Sequence, residues 1–126
     1  MDAYYNFPYG VFRGLRKKSP EPSPFHPPNW IWGEWSDEPE PESAFITFIF
    51  TSNNIIMRGK GVYFNFKEAL KNTPVEETIT DTLYKVSIDI ENNTVVYEFK
   101  KINGTTIQYT AIAPDIPDNS TTLIKL

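Results

Sequence analysis

The chain has no cysteine, and His26 is its single histidine among 126 residues. Without cysteine it can form no disulfide and offers no thiolate to zinc, and one histidine excludes a multi-histidine metal site. No apolar run approaches the roughly 20 residues that span a bilayer as a helix, and no signal peptide is recognisable. The net charge of −4 argues against nucleic-acid binding, which needs a strongly basic surface. We therefore expect no metal, no other cofactor and no nucleic acid as a partner.

What the chain does have is alternation of apolar and polar residues from Thr82 to Ile112. A period of two is typical of half-buried β-strands, and three such strands follow one another here. One face of this meander is apolar, and we expect it to point inward. Its members are Tyr84, Val86, Ile88, Ile90, Val95, Tyr97, Phe99, Ile107, Tyr109 and Ala111.

Turn chemistry predicts how the first two of these strands pair. A two-residue loop at 92–93, both asparagine, tolerates the positive φ of a type I′ turn. This loop would place Ile90 opposite Val95, so that inward residues meet inward residues. The same register would place Lys85 opposite Lys100 on the outer face, a small like-charge cost.

A different turn is predicted between the second and third strands. A three-residue loop, 102–104, with Gly104 at positive φ as a bulge, would place Phe99 opposite Ile107. A two-residue loop would instead set an inward residue against an outward one. We therefore predict the bulged loop, with Ile88, Tyr97 and Tyr109 side by side on the buried face.

Further strands are predicted before the meander. Residues 30–36 resemble a first strand, and 44–51 and 54–59 form a hairpin that places Phe50 opposite Ile55. The hairpin is also apolar on its second face, which we expect another part of the chain to cover.

The rest of the chain supplies one helix and a closing strand. Residues 65–72 start with a capping-box pattern and predict a two-turn helix. Residues 75–81 are either a separate short strand or the lower half of one long strand. A loop at 114–120 then leads to a closing strand at 121–126.

These elements predict an all-β protein, an antiparallel up-and-down meander barrel of about eight strands with one short helix. The barrel domain is expected at 30–126. Residues 1–29 form an N-terminal arm or linker, with an aromatic start from Tyr4 to Phe12, a basic cluster and then five prolines within eleven residues. Whether the aromatic start packs on the barrel stays open at this point.

The sequence Gly33-Glu34-Trp35 on the first predicted strand, followed by the meander, resembles the lipocalin-like (calycin) barrels. The resemblance implies that Trp35 packs at the closed end of the barrel under a basic side chain from the last strand, here Lys125. More narrowly, the chain is similar to small lipocalin-like domains of bacterial cell-envelope lipoproteins. That likeness implies a periplasmic or surface location, with a membrane tether through a missing N-terminal lipid anchor. A cytoplasmic location is the alternative.

No nucleophile–base arrangement is recognisable, so we do not expect an enzyme. We interpret His26 as a spacer residue and Glu77 as a solvated carboxylate. Two functions stay open: a carrier of a small apolar ligand inside the barrel, or a monomeric cell-envelope interaction or structural module with a filled core that contacts a partner through its arm and outer face. The candidate ligand-binding residues are the inward-facing aromatics Phe48, Phe50, Tyr84, Tyr97, Phe99 and Tyr109.

Overall fold

The computed structural model describes residues 23–40 and 43–126 of the chain. A short 3₁₀ helix, Asn29–Ile31, precedes the sheet, and one α-helix, α1, spans Phe66–Ala69. The strands are β1 (Gly33–Ser36), β2 (Ile46–Phe50), β3 (Ile55–Gly59), β4 (Val62–Asn65), β5 (Val75–Ile79), β6 (Leu83–Ile90), β7 (Asn93–Asn103), β8 (Thr106–Ala113) and β9 (Ile116–Lys125).

All nine strands belong to one antiparallel sheet, in the order β4-β3-β2-β1-β9-β8-β7-β6-β5. This confirms the predicted all-β meander with one short helix, with nine strands where about eight were expected. The sheet is curled into a half-barrel, and β1 at its middle pairs with both β2 and β9. The ladder stays open between β4 and β5, which are the two edge strands.

The hairpin of β2 and β3 has the predicted register, with Phe50 opposite Ile55 and Ile46 opposite Gly59. Gly59 is required by a close approach, since a Cβ atom there would lie 2.1 Å from the backbone oxygen of Phe45. The Phe45 side chain on the second face is 72 % exposed. The predicted cover of that face by the aromatic N-terminal residues lies outside the described residues.

The predicted register of β6 and β7 is wrong by two residues. The turn is formed by Glu91 and Asn92, both at positive φ, so Ile90 pairs with Asn93 and Ile88 with Val95. A shift of two residues keeps every side chain on its face, so the alternation pattern could not detect the error.

The turn between β7 and β8 also differs from the prediction. Phe99 pairs with Tyr109 rather than Ile107, and the irregularity lies between Lys101 and Asn103. Gly104 does not have a positive φ. Both hairpins again bring inward residues together, because the second shift is also two residues.

Shifted registers change the neighbours on the outer face. Lys85 lies opposite Glu98, not opposite Lys100, so the expected like-charge contact is absent. The pair instead joins opposite charges across the strands.

Helix α1 is shorter than predicted but is capped as expected. The Asn65 side chain accepts a hydrogen bond from the backbone N–H of Glu68. Asn54, in the turn before β3, accepts from the N–H of Lys67 and donates to Asn65, so it holds the helix start against the sheet. Phe66 points from the helix into the core and is fully buried.

The two edge strands, β4 and β5, and the last strand, β9, differ from the predicted elements. The alternation of apolar and polar residues did not predict β4. β5 is a separate short strand rather than the lower half of one long strand. β9 begins at Ile116, so the loop expected at 114–120 is mostly strand.

The core includes residues that the predicted domain boundary assigned to the arm. Phe25 is fully buried and its ring meets that of Phe66 edge to face at 5.8 Å. We call residues 23–31 the strap, because Phe25 contacts α1 while the next residue, His26, hydrogen-bonds to Glu77 on β5. The folded body therefore starts before Trp30, within the segment predicted to be a linker. In the described part of the chain, no helix has the length and apolar character needed to cross a membrane.

Candidate functional site

The structure brings the six predicted ligand-binding aromatics together on the concave face of the half-barrel. Every one of these rings has another of the six as a neighbour, with ring-centroid distances from 4.8 to 6.4 Å. Such distances are typical of rings in contact. The six side chains therefore pack against one another rather than standing apart around an open space.

Burial divides the concave face into two parts. The floor consists of residues that are at most 1 % exposed, namely Phe48, Phe50, Tyr84 and Phe99. The rim consists of inward-facing residues that pack on the core but stay half-buried, namely Met57, Phe64, Tyr97 and Ala111. Tyr109, which is 9 % exposed, joins the two parts because its ring contacts both Phe48 and Tyr97.

The rim is continuous around the concave face. Met57 pairs with both Phe48 and Phe64 in the sheet. Phe64 contacts Phe66 at 5.0 Å, and Phe66 contacts Tyr97 at 5.2 Å. Helix α1 thus joins the two halves of the sheet across the opening between β4 and β5. The sequence predicted Tyr97 as a candidate binding residue but predicted neither Met57 nor Phe64 as one. Phe64 had no assigned face because β4 was not predicted.

A hydrogen-bonded cluster lies where the strap meets the floor. The Glu77 carboxylate accepts from the Tyr84 hydroxyl at 2.6 Å and from the backbone N–H of His26 at 2.6 Å, and lies 2.8 Å from the His26 ring nitrogen Nδ1. Burial, and then the hydrogen bond to Glu77, raises the pKa of Tyr84 well above its usual range. Because its hydroxyl is fully buried and already donates to Glu77, Tyr84 cannot reach a substrate.

The interpretations of His26 as a spacer residue and of Glu77 as a solvated carboxylate are therefore wrong. Glu77 faces inward because it pairs with Val86, and its side chain is 12 % exposed. The available signal was the alternation of β5, with Val75, Glu77 and Ile79 on one face. The contact with His26, 51 positions earlier in the chain, has no local sequence signal.

The Gly-x-Trp residues and Lys125 meet at the junction of β1 and β9. Trp35 pairs with Lys125, and the Lys125 ammonium lies 5.7 Å from the centroid of the Trp35 ring. Gly33 has a φ of 121°, and a Cβ atom there would lie 3.1 Å from the Lys125 side chain. A glycine at 33 therefore permits both the backbone conformation and the passage of the lysine over the tryptophan. The Trp35 indole N–H donates to the backbone oxygen of Ile31, which joins the motif to the strap.

The described residues contain no cluster of three or more histidine, aspartate or glutamate side chains that could hold a metal ion. No family model matches the chain, and no curated protein or solved structure matches it either.

Proposed function

We propose that the chain is a non-enzymatic, lipocalin-like binding module that takes a small, mainly apolar ligand on the rim of its half-barrel. The observation that carries this proposal is the continuous set of inward-facing but half-buried apolar side chains, Met57, Phe64, Tyr97 and Ala111. Apolar side chains that leave part of their area in water gain free energy when a ligand covers them. The floor beneath them is filled, so the ligand lies on the core rather than inside it.

The resemblance to lipocalin-like barrels supports the same function. Its three residues, Gly33, Trp35 and Lys125, come together where β1 pairs with β9, the contact that joins the first and last strands of the chain. The buried and hydrogen-bonded state of Tyr84 supports a role without catalysis, because the most strongly perturbed tyrosine serves to hold the strap.

Binding can be followed at the rim itself, because the chain has two methionines, Met1 and Met57. The full chain labelled with methyl-¹³C methionine is titrated with Nile red, a neutral apolar dye. We expect saturable dye fluorescence together with a shift of the Met57 methyl resonance. A dye that stays dark, with an unmoved Met57 signal, would remove the proposal.

A matched pair of variants locates the bound dye. Met57 and Ile56 are adjacent and both half-buried, but they lie on opposite faces of β3. Met57→Lys should abolish dye binding because it places a charge on the rim, whereas Ile56→Lys should leave it unchanged. Equal losses in both variants would show that the dye does not bind at the rim. A thermal melt of each variant confirms that it is folded.

The second candidate function is the interaction or structural module with a filled core. It is favoured by the tightly packed floor and by exposed aromatic side chains on the outer surface, Phe45 at 72 % and Tyr63 at 66 %. This function predicts that neither dye nor co-purified small molecule is found on the native protein by mass spectrometry.

We further propose, from the lipoprotein likeness alone, that the chain belongs to the cell envelope, with the residues that precede the strap serving as part of a membrane tether. We also expect a monomer. Fractionation of the source cells tests the location, and recovery of the native protein from the cytosol would contradict it.

A further inference from the structure

Among residues 23–40 and 43–126, the fold supplies a protein acceptor for all three tryptophan N–H groups and for the Tyr84 hydroxyl. These groups are the polar ends of side chains that otherwise pack as hydrophobic residues, and they need a partner when buried. The contacts are Trp30 to the Thr80 backbone oxygen, Trp32 to that of Pro27, Trp35 to that of Ile31, and the Tyr84 hydroxyl to the Glu77 carboxylate.

Tyr97 and Tyr109, on the concave face, are exceptions. Their rings are parallel within 9°, with centroids 6.4 Å apart, and both side chains point to the concave face. Tyr109 is more than nine-tenths buried. Within residues 23–40 and 43–126, neither hydroxyl has a hydrogen-bond partner. Two stacked phenol rings on the concave face therefore carry hydroxyls without a partner among these residues.

The two hydroxyls are donors near neutral pH. Burial raises the pKa of Tyr97, and burial followed by the neighbouring Tyr97 raises the pKa of Tyr109 to about 12. Both phenols therefore keep their protons, and each can donate one hydrogen bond.

The surroundings of the pair select the charge of an acceptor. The residues paired with the two tyrosines, Val86, Ala111, Phe99 and Thr121, are uncharged. Lys101, the next residue on that face of β7 after Phe99, places its ammonium over the Trp30 ring. A carboxylate here would lose its hydration while the Lys101 ammonium lies over the Trp30 ring, which is costly. A neutral carbonyl oxygen loses far less.

We propose that the ligand carries a neutral carbonyl group, as in an ester or a ketone, and that its oxygen accepts hydrogen bonds from the hydroxyls of Tyr97 and Tyr109. The apolar remainder of the ligand covers Met57 and Phe64. This inference rests on the proposed function, since it names the chemistry of a ligand at the same rim.

The test compares three ligands of similar length on the full chain at pH 8: methyl decanoate, decanoate and undecane. Binding of each is measured by the shift of the Met57 methyl resonance. We expect the ester to bind about tenfold or more tightly than either undecane or decanoate, as one or two hydrogen bonds allow. Tyr97→Phe and Tyr109→Phe should each remove most of the preference for the ester over undecane, because they delete one oxygen and keep the ring.

The control is Tyr63→Phe, which deletes the hydroxyl of an exposed residue on the outer face and should leave all three affinities unchanged. The inference is overturned if Tyr97→Phe and Tyr109→Phe both keep the preference for the ester over undecane, or if decanoate binds as tightly as the ester. These results differ from failure of the proposed function, in which undecane and the ester both leave the Met57 resonance unmoved.

Discussion

The floor and the rim are built from the same kinds of residue, yet they differ in burial. Phe48 on the floor and Phe64 on the rim both face inward and lie two strands apart in one row of the sheet. Phe48 is fully buried because the two halves of the sheet meet over it, whereas Phe64 lies on an edge strand and stays half-buried. The comparison shows that an inward-facing aromatic becomes fully buried or stays partly exposed according to what lies across the half-barrel from it.

Truncating one phenylalanine in each part tests this difference most strongly. Phe48→Ala should lower the free energy of unfolding by about 3–5 kcal/mol, since it leaves a cavity among packed rings. Phe64→Ala should cost less, about 1–2 kcal/mol, because part of its side-chain area is already in water. Urea denaturation measures both, with exposed Phe45→Ala as the control. Equal losses for Phe48 and Phe64 would contradict the division into floor and rim.

Alkaline pH tests the tyrosine that joins the two parts. The pKa of Tyr109 is about 12 in the folded protein and 10.0 when unperturbed. Its raised pKa means that its contribution to stability is complete below pH 10 and is lost as the pH rises through 12, by about 2–3 kcal/mol. Urea denaturation at pH 8 and pH 11.5 should show a smaller loss for Tyr109→Phe than for the wild type. Identical losses would contradict the burial of this phenol.

Two glycines, one at the end of β3 and one in the turn between β7 and β8, sharpen the comparison at the level of the backbone. Gly59→Ala should lower the free energy of unfolding by about 1–3 kcal/mol, because the added carbon meets the Phe45 backbone oxygen. Gly104→Ala should change it by less than about 0.5 kcal/mol, since no atom lies within 4 Å of the added carbon and φ is not positive. Thermal melts of the two variants measure this contrast, and a larger effect at Gly104 would support the bulged turn instead.

The smallest effect is expected on the outer face, where neither floor nor rim is involved. Lys85→Glu should destabilise by about 0.2–1 kcal/mol at low salt, because it sets a second carboxylate opposite Glu98. Lys100→Glu is the control, since its neighbours across the sheet are Leu83 and Gln108. A stabilising effect of Lys85→Glu would favour the register that pairs the two lysines.

The sequence by itself determined which side chains of the meander face inward, and it determined one hairpin turn and one helix cap that depend on short-range chemistry. The hairpin register at Phe50 and Ile55 and the cap at Asn65 were correct for this reason. Alternation and capping are local, so they survive without knowledge of the fold. The presence of an antiparallel meander follows from the same signals.

Only the tertiary structure decided the registers of β6, β7 and β8, since a shift of two residues leaves every side chain on its predicted face. It also decided the roles of His26 and Glu77, which meet across 51 positions of sequence. The tertiary structure also decided how the inward face divides into floor and rim. Burial of a side chain depends on the element that packs opposite it, and that element can be far away in the chain.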